Sequence, residues 1–290
     1  MRKYKLLVLS LGSLFFIGCS VTQLQNKGKV SPKNFSHEIT FDTLKSLMIL
    51  PFELDGVTKN FLFDTGADFS LIQREATLGK VKKYGGASKR KMALGNEIVS
   101  SLKLGEVEFK NTKALNGDMV GLKEEVPNFG GLIGQPIINK ANWLIDNVAL
   151  QLVLSDKNLV DNSFHTVEIK REGGSPYTYI ILGGKRYKAI VDLGSSSEFN
   201  LPKETDLAKE LVSLYGFKDH ERRRYTLGGL DTIIEKKGIV PMIKLGDLEF
   251  ENVTTTVNTS SNLRLGMAFF KDCQLFIDNN NGVYKIKKIR

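Results

Sequence analysis

Two halves of this chain repeat one another, and that repeat limits its fold more than any other feature. Phe61-Leu62-Phe63-Asp64-Thr65-Gly66-Ala67 returns as Ala189-Ile190-Val191-Asp192-Leu193-Gly194-Ser195, with Asp192 lying 128 residues after Asp64. Upstream, His37-Glu38-Ile39 answers His165-Thr166-Val167, and Leu54-Asp55-Gly56 answers Leu182-Gly183-Gly184. Downstream, Lys103-Leu104-Gly105-Glu106-Val107-Glu108-Phe109 matches Lys244-Leu245-Gly246-Asp247-Leu248-Glu249-Phe250 at an offset of 141 residues. Leu132-Ile133-Gly134 then pairs with Arg264-Leu265-Gly266, and Leu144-Ile145-Asp146 with Phe276-Ile277-Asp278. The offset drifts because loops absorb insertions while strands keep their length. A solenoid stacks three or more short units, so two units this long predict two related lobes.

The local pattern predicts strands. Leu47 to Leu54, Asn60 to Phe63, Leu102 to Phe109, Trp143 to Leu154, Tyr177 to Leu182, Lys188 to Val191, Val240 to Phe250, Gln274 to Ile277 and Val283 to Ile286 are apolar or alternating. Gly, Asn and Asp turns separate them. Helical pattern is scarce: Pro202 to Tyr215 sets Leu207, Leu211 and Leu214 on one face, with Gly216 as a stop. Short helical turns are expected after Gly134 and Gly266. The fold class is therefore all-β with a few short helices. The expected division is a first lobe at 37–154, a polar connector at 155–163 and a second lobe at 164–290.

Each repeat ends an apolar strand in Asp, then a residue and a glycine, which puts one carboxylate at the tip of a buried strand where another backbone comes close. Asp64-Thr65-Gly66-Ala67-Asp68 resembles the active-site segment of retropepsin-like and pepsin-like aspartic peptidases, especially the retroviral form. The resemblance covers nearly the whole mature chain and implies two pseudo-symmetric β-barrel lobes. Flap hairpins fall around Tyr84 to Gly95 and Phe217 to Gly229, and apolar-Gly segments at Leu132-Ile133-Gly134 and Leu265-Gly266, where Arg264 departs from the pattern. It implies one chain that carries both halves of a dyad, an intramolecular pseudo-dimer and a monomer in solution.

Such a dyad, Asp64 with Asp192, would share a proton while one carboxylate activates water and the protonated one polarises the scissile carbonyl. Thr65, Gly66, Ala67, Gly194 and Ser195 are the supporting positions. Ser195 is expected to donate to the Asp192 carboxylate and leave the proton on Asp64, since Ala67 offers Asp64 nothing comparable. Leu193 departs from the family's Thr or Ser, so the hydroxyl interlock across the axis keeps only its Thr65 half. Asp68 is implied to bind substrate backbone beside an arginine, or else caps a turn. Asp146 and Asp278, closing short strands, are expected to be structural.

The functional readings are an aspartic endopeptidase acting on an extended peptide or protein substrate, and a degenerate lipoprotein that binds a peptide or cell-envelope partner. A third is a site made by pairing the first lobes of two copies. His37, His165 and His220 make no zinc spacing, and no phosphate-binding loop or serine elbow occurs, so neither a metal nor a cofactor is implied.

The first residues add a location. Arg2, Lys3 and Lys5 precede an apolar run from Leu6 to Ile17 and then Gly18-Cys19, which reads as a signal peptide over 1–19 with Cys19 as lipidation site of a bacterial lipoprotein. Ser20 favours an outer-membrane anchor within the cell envelope. Residues 20–36, polar throughout, read as a tether. Removing residues 1–18 takes away three cations and lowers the formal net charge from +9 to +6. The remaining clusters, Lys89-Arg90-Lys91 and Arg222-Arg223-Arg224, read as solvated hairpin faces or as contacts to acidic substrate or lipid head groups. Nucleic acid is not expected as a partner, because aromatics do not interleave the basic residues. Cys273 is left without a partner cysteine and reads as a small core residue.

Overall fold

The structure is a computed structural model that describes residues 25–85, 91–172, 174–226 and 229–289. Residues 1–19, expected to be a signal peptide ending at Cys19, lie outside the described residues, together with Lys89, Arg90, Leu227 and Gly228. The described chain is all-β in character, and its helices are short: Val120–Lys123, Gln135–Ile138, Asp206–Tyr215 and the 3-10 turn Met267–Phe270.

Six strands close a first barrel in the order Leu47–Leu54, Val57–Phe63, Phe129–Ile133, Ser70–Gln73, Val107–Gly117 and Lys91–Leu104, the last pairing back onto the first. Val57–Phe63 lies parallel to Phe129–Ile133, which runs antiparallel to Ser70–Gln73. Because strands flank Val57–Phe63 on both sides and side chains cover both its faces, its end reads as a continuous apolar run, Phe61-Leu62-Phe63. A second barrel joins Ser175–Leu182, Lys185–Asp192, Arg264–Gly266, Phe199–Pro202, Leu248–Asn258 and Gly229–Leu245, which again returns to the first strand.

A third sheet draws strands from both halves. Its order is His165–Glu168, Val283–Lys288, Cys273–Asp278, Asn142–Asp146, Gln151–Ser155 and Ser36–Thr40. The seam is antiparallel, with Trp143 opposite Ile277 and Leu144 opposite Phe276. One hydrophobic core runs through both barrels and this sheet. Trp143 sits fully buried, its ring 5.2 Å from that of Phe63, and its indole N–H donates to the Ile138 carbonyl at 2.8 Å. The Cys273 thiol is buried as well, which pushes its pKa to about 12.

Two expectations need correction. The described part of the tether, residues 25–36, is docked: Lys29–Ser31 forms a strand on Val107–Gly117, and Gln25 and Phe35 are buried. Val30 and Phe35 supply apolar anchors in a polar stretch, and the barrel strand supplies backbone partners. The helix expected from Pro202 begins later, at Asp206, because Pro202 ends the strand Phe199–Pro202. Thr205 caps it by accepting from the Ala208 N–H at 3.2 Å. Gly216, at φ +60°, closes the helix in the left-handed conformation.

Candidate active site

Asp64 and Asp192 meet where the two barrels face each other. Each ends or directly follows a strand whose parallel neighbour closes with a glycine: Phe63 pairs with Ile133 ahead of Gly134, and Asp192 pairs with Gly266. The Gly66 N–H donates to Asp64 Oδ1 at 2.8 Å, and the Gly194 N–H donates to Asp192 Oδ1 at 3.1 Å. The two loops lie on each other. A Cβ added at Gly66 would stand 2.7 Å from Asp192 Oδ1, and one at Gly194 would strike the Asp64 carboxylate. Only glycine permits this reciprocal approach.

Beneath the carboxylates, Thr65 reaches across. Its hydroxyl is fully buried, donates to the Val191 carbonyl at 2.7 Å and accepts from the Leu193 N–H at 2.9 Å. The Leu193 side chain offers no such group and packs into the core instead. The interlock is thus one-sided: one hydroxyl holds two backbone groups of the opposite loop. Ala67 and Ser195 play equivalent backbone roles, their carbonyls accepting from Gln135 N–H at 3.0 Å and Met267 N–H at 2.8 Å. These bonds start the short helices that sequence placed after Gly134 and Gly266.

Burial raises the Asp64 carboxyl well above the usual carboxylate range, the Asp192 charge adds to the rise, and the Gly66 N–H opposes both. Ser195 does not serve Asp192 as expected: its Oγ accepts from Asn200 Nδ2 at 3.1 Å. Asn200, on the neighbouring strand Phe199–Pro202, holds the Ser195 oxygen by donating to it, and among the described residues no bond joins that hydroxyl to Asp192. Arg264 takes the place beside Asp192, its guanidinium donating to Oδ2 at 2.5 Å. The pair is largely enclosed, with 11% of the Asp192 side chain and 24% of the Arg264 side chain exposed.

Asp68 is drawn toward the second barrel. Its Oδ1 accepts from Ser175 Oγ at 3.2 Å and its carbonyl accepts from Gln25 Nε2 at 3.0 Å. Burial raises its carboxyl pKa. The arginine implied beside it serves another group: Arg171 donates to Gln135 Oε1 at 2.7 Å, and Gln135 donates to the Thr65 carbonyl at 2.6 Å. Asp146 and Asp278 are structural. The first caps Val148 and Ala149 and accepts from Gln274, and the second binds Asn281 and Lys285.

Sequence reading missed Gln135, Arg171 and Ser175, and treated Arg264 only as a departure. The available signal was a lone cation at the position where the first repeat carries Leu132. No protein-family model matches the chain, and no curated protein matches it significantly.

Proposed function

We propose that this chain is an aspartic endopeptidase built from two related retropepsin-like lobes, with Asp64 and Asp192 as its dyad. One observation carries the reading: the two carboxylates lie each against the other's glycine, at matching points of two barrels with the same strand order. The buried, proton-retaining Asp64 polarises the scissile carbonyl. Asp192 takes a proton from the attacking water, whose oxygen bonds to the carbonyl carbon. Collapse of the tetrahedral species breaks the C–N bond, and the leaving amine takes the proton that Asp192 received from the water. The meeting of both aspartates within one chain supports a single-chain site over pairing of two copies. The proposal extends to lipid attachment at Cys19 and residence in a bacterial envelope, both resting on residues 1–19 of the sequence.

A second reading, a degenerate site that binds a peptide without cutting it, draws on Leu193 and on the engagement of Asp192 Oδ2 by Arg264. The purified chain, incubated with a mixed peptide library from acidic to neutral pH, separates them. Cleavage abolished by both Asp64→Asn and Asp192→Asn supports the peptidase. Cleavage that survives both substitutions refutes it, and binding without cleavage at any pH favours the second reading.

A further inference from the structure

The two aspartates sit in unlike surroundings at matching points of the barrels. Ala67 follows Gly66, whereas Ser195 follows Gly194. One strand over, Leu132 opposes Leu71 in the first barrel, and Arg264 opposes Asn200 in the second. Leu71 and Leu132 are buried in an apolar cluster with Leu62, Met119 and Leu122. Their counterparts are polar and engaged. Asn200 accepts from Asn258 at 3.3 Å and donates to Ser195 Oγ at 3.1 Å, and Arg264 donates to Asp192 at 2.5 Å. Asp64 accepts from the Gly66 N–H and, among the described residues, makes no ion pair.

Register sets the reach of Arg264. It lies opposite Ile190 on a parallel strand, and Asp192 follows Ile190 by two residues on the same face, so the guanidinium starts one diagonal step from the carboxylate. Asp192 is then held at both oxygens. The Gly194 N–H binds Oδ1 at 3.1 Å, and Arg264 Nη1 binds Oδ2. A Cβ added at Gly66 would stand 2.7 Å from Oδ1 and 3.2 Å from Oδ2, so Oδ1 is the oxygen nearer the loop of Asp64. A carboxylate has about four lone-pair sites, so two bonds leave it able to accept a proton from water.

We infer that Arg264 is a positioning residue for the dyad: by holding Oδ2 it fixes Asp192 as the charged partner with Oδ1 turned toward Asp64, and so assigns the base to the second lobe and the acid to the first. As a role in catalysis this rests on the peptidase reading. The physical cause is the enclosure of the pair. With 11% of its side chain exposed, a charged Asp192 needs a partner to offset lost hydration. No hydroxyl among the described residues bonds it, and the guanidinium supplies both the charge and the direction. Asp64, with Ala67, Leu71 and Leu132 at the matching positions, has no such partner, and burial favours its protonated form.

The test measures kcat and KM of the full-length chain on a peptide from the mixed library that the wild type cleaves, beside Arg264→Leu, Arg264→Lys and Arg264→Ala. Fluorescence of the buried Trp143 shows which variants are folded. Arg264→Leu should lose at least about tenfold in kcat with KM changed by less than about twofold, because the group acts on the base and not on the peptide. Arg264→Lys, which keeps a cation without the planar fork, should fall between it and wild type. Arg264→Ala should regain kcat when guanidinium ion is added at concentrations too low to shift the Trp143 signal, and Asp192→Asn should not. If the leucine variant does not fold, the alanine variant and its rescue decide. A folded leucine variant with wild-type kcat overturns the assignment. So does a loss confined to KM, which would make Arg264 a substrate contact, or a rise in kcat, which would make it a brake on the base. An alanine variant that guanidinium does not restore overturns it too. Cleavage that no substitution at 264 alters sinks the positioning role and leaves the peptidase, whereas a wild type that cleaves nothing in the library removes the peptidase and the role together.

Discussion

Thr65→Val isolates the one-sided interlock. Valine fills the volume of threonine, so the change leaves no cavity and removes only the hydroxyl. Two partners are then stranded in a fully buried place: the Val191 carbonyl, which loses a bond of 2.7 Å, and the Leu193 N–H, which loses one of 2.9 Å. Each buried group left unpaired costs about 1–3 kcal/mol, so the substitution should destabilise the fold by about 2–6 kcal/mol. Thr65→Ser keeps the hydroxyl and gives up one methyl group, a loss of about 1 kcal/mol. Trp143, the single tryptophan and fully buried, reports unfolding by its fluorescence. Urea titrations of the three proteins should give equal slopes and midpoints ordered wild type, Ser, Val. A valine variant within about 1 kcal/mol of wild type would mean that the bridging hydroxyl does not hold the loops, and the reasoning fails.

Two other outcomes follow from the dyad. The folded chain holds a proton on Asp64 above the pH at which the unfolded chain releases it, because burial and Asp192 raise that carboxyl. The proton-linked contribution is therefore complete below the ordinary carboxylate range and is lost as pH rises through the elevated value. Asn at 64 cannot titrate, so the stability of wild type relative to Asp64→Asn should fall from about pH 4 upward, and parallel stability curves would contradict this. Arg264→Leu installs the residue type that Leu132 supplies in the first barrel and removes the cation from Asp192. At neutral pH it should cost about 2–4 kcal/mol, less than a fully buried pair because a quarter of the arginine is exposed. A variant as stable as wild type at neutral pH, judged by its urea midpoint, removes the ion pair from the account.

What the sequence showed was local. A strand that ends in Asp and is followed by Gly is fixed by side-chain alternation and by the need for a close backbone approach, so Asp64 and Asp192 could be read directly. The turns after Gly134 and Gly266 were legible for the same reason. What it hid was pairing across long separations. Residues 29–31 look like linker because their strand pairing depends on a partner far along the chain, with Lys29 opposite Lys110, 81 residues away. Proximity in sequence points Ser195 at Asp192, yet its oxygen accepts from Asn200 and the group beside Asp192 is Arg264, from 72 residues downstream. Gln135, linking Arg171 to Thr65, has no local signature at all: a buried glutamine becomes informative only when its partners are known.

The third sheet has a mechanical consequence. Asn142–Asp146, ahead of the connector, is zipped to Cys273–Asp278, near the chain's other end, and on its opposite side to Gln151–Ser155, which in turn holds Ser36–Thr40. Swinging the barrels apart would tear a ladder of backbone hydrogen bonds beneath a buried tryptophan, with no solvent at hand to replace them. The floor between Asp64 and Asp192 is therefore a stiff joint rather than a hinge. Any yielding that a substrate needs is therefore left to those parts of the two barrels that share no strand with this joint.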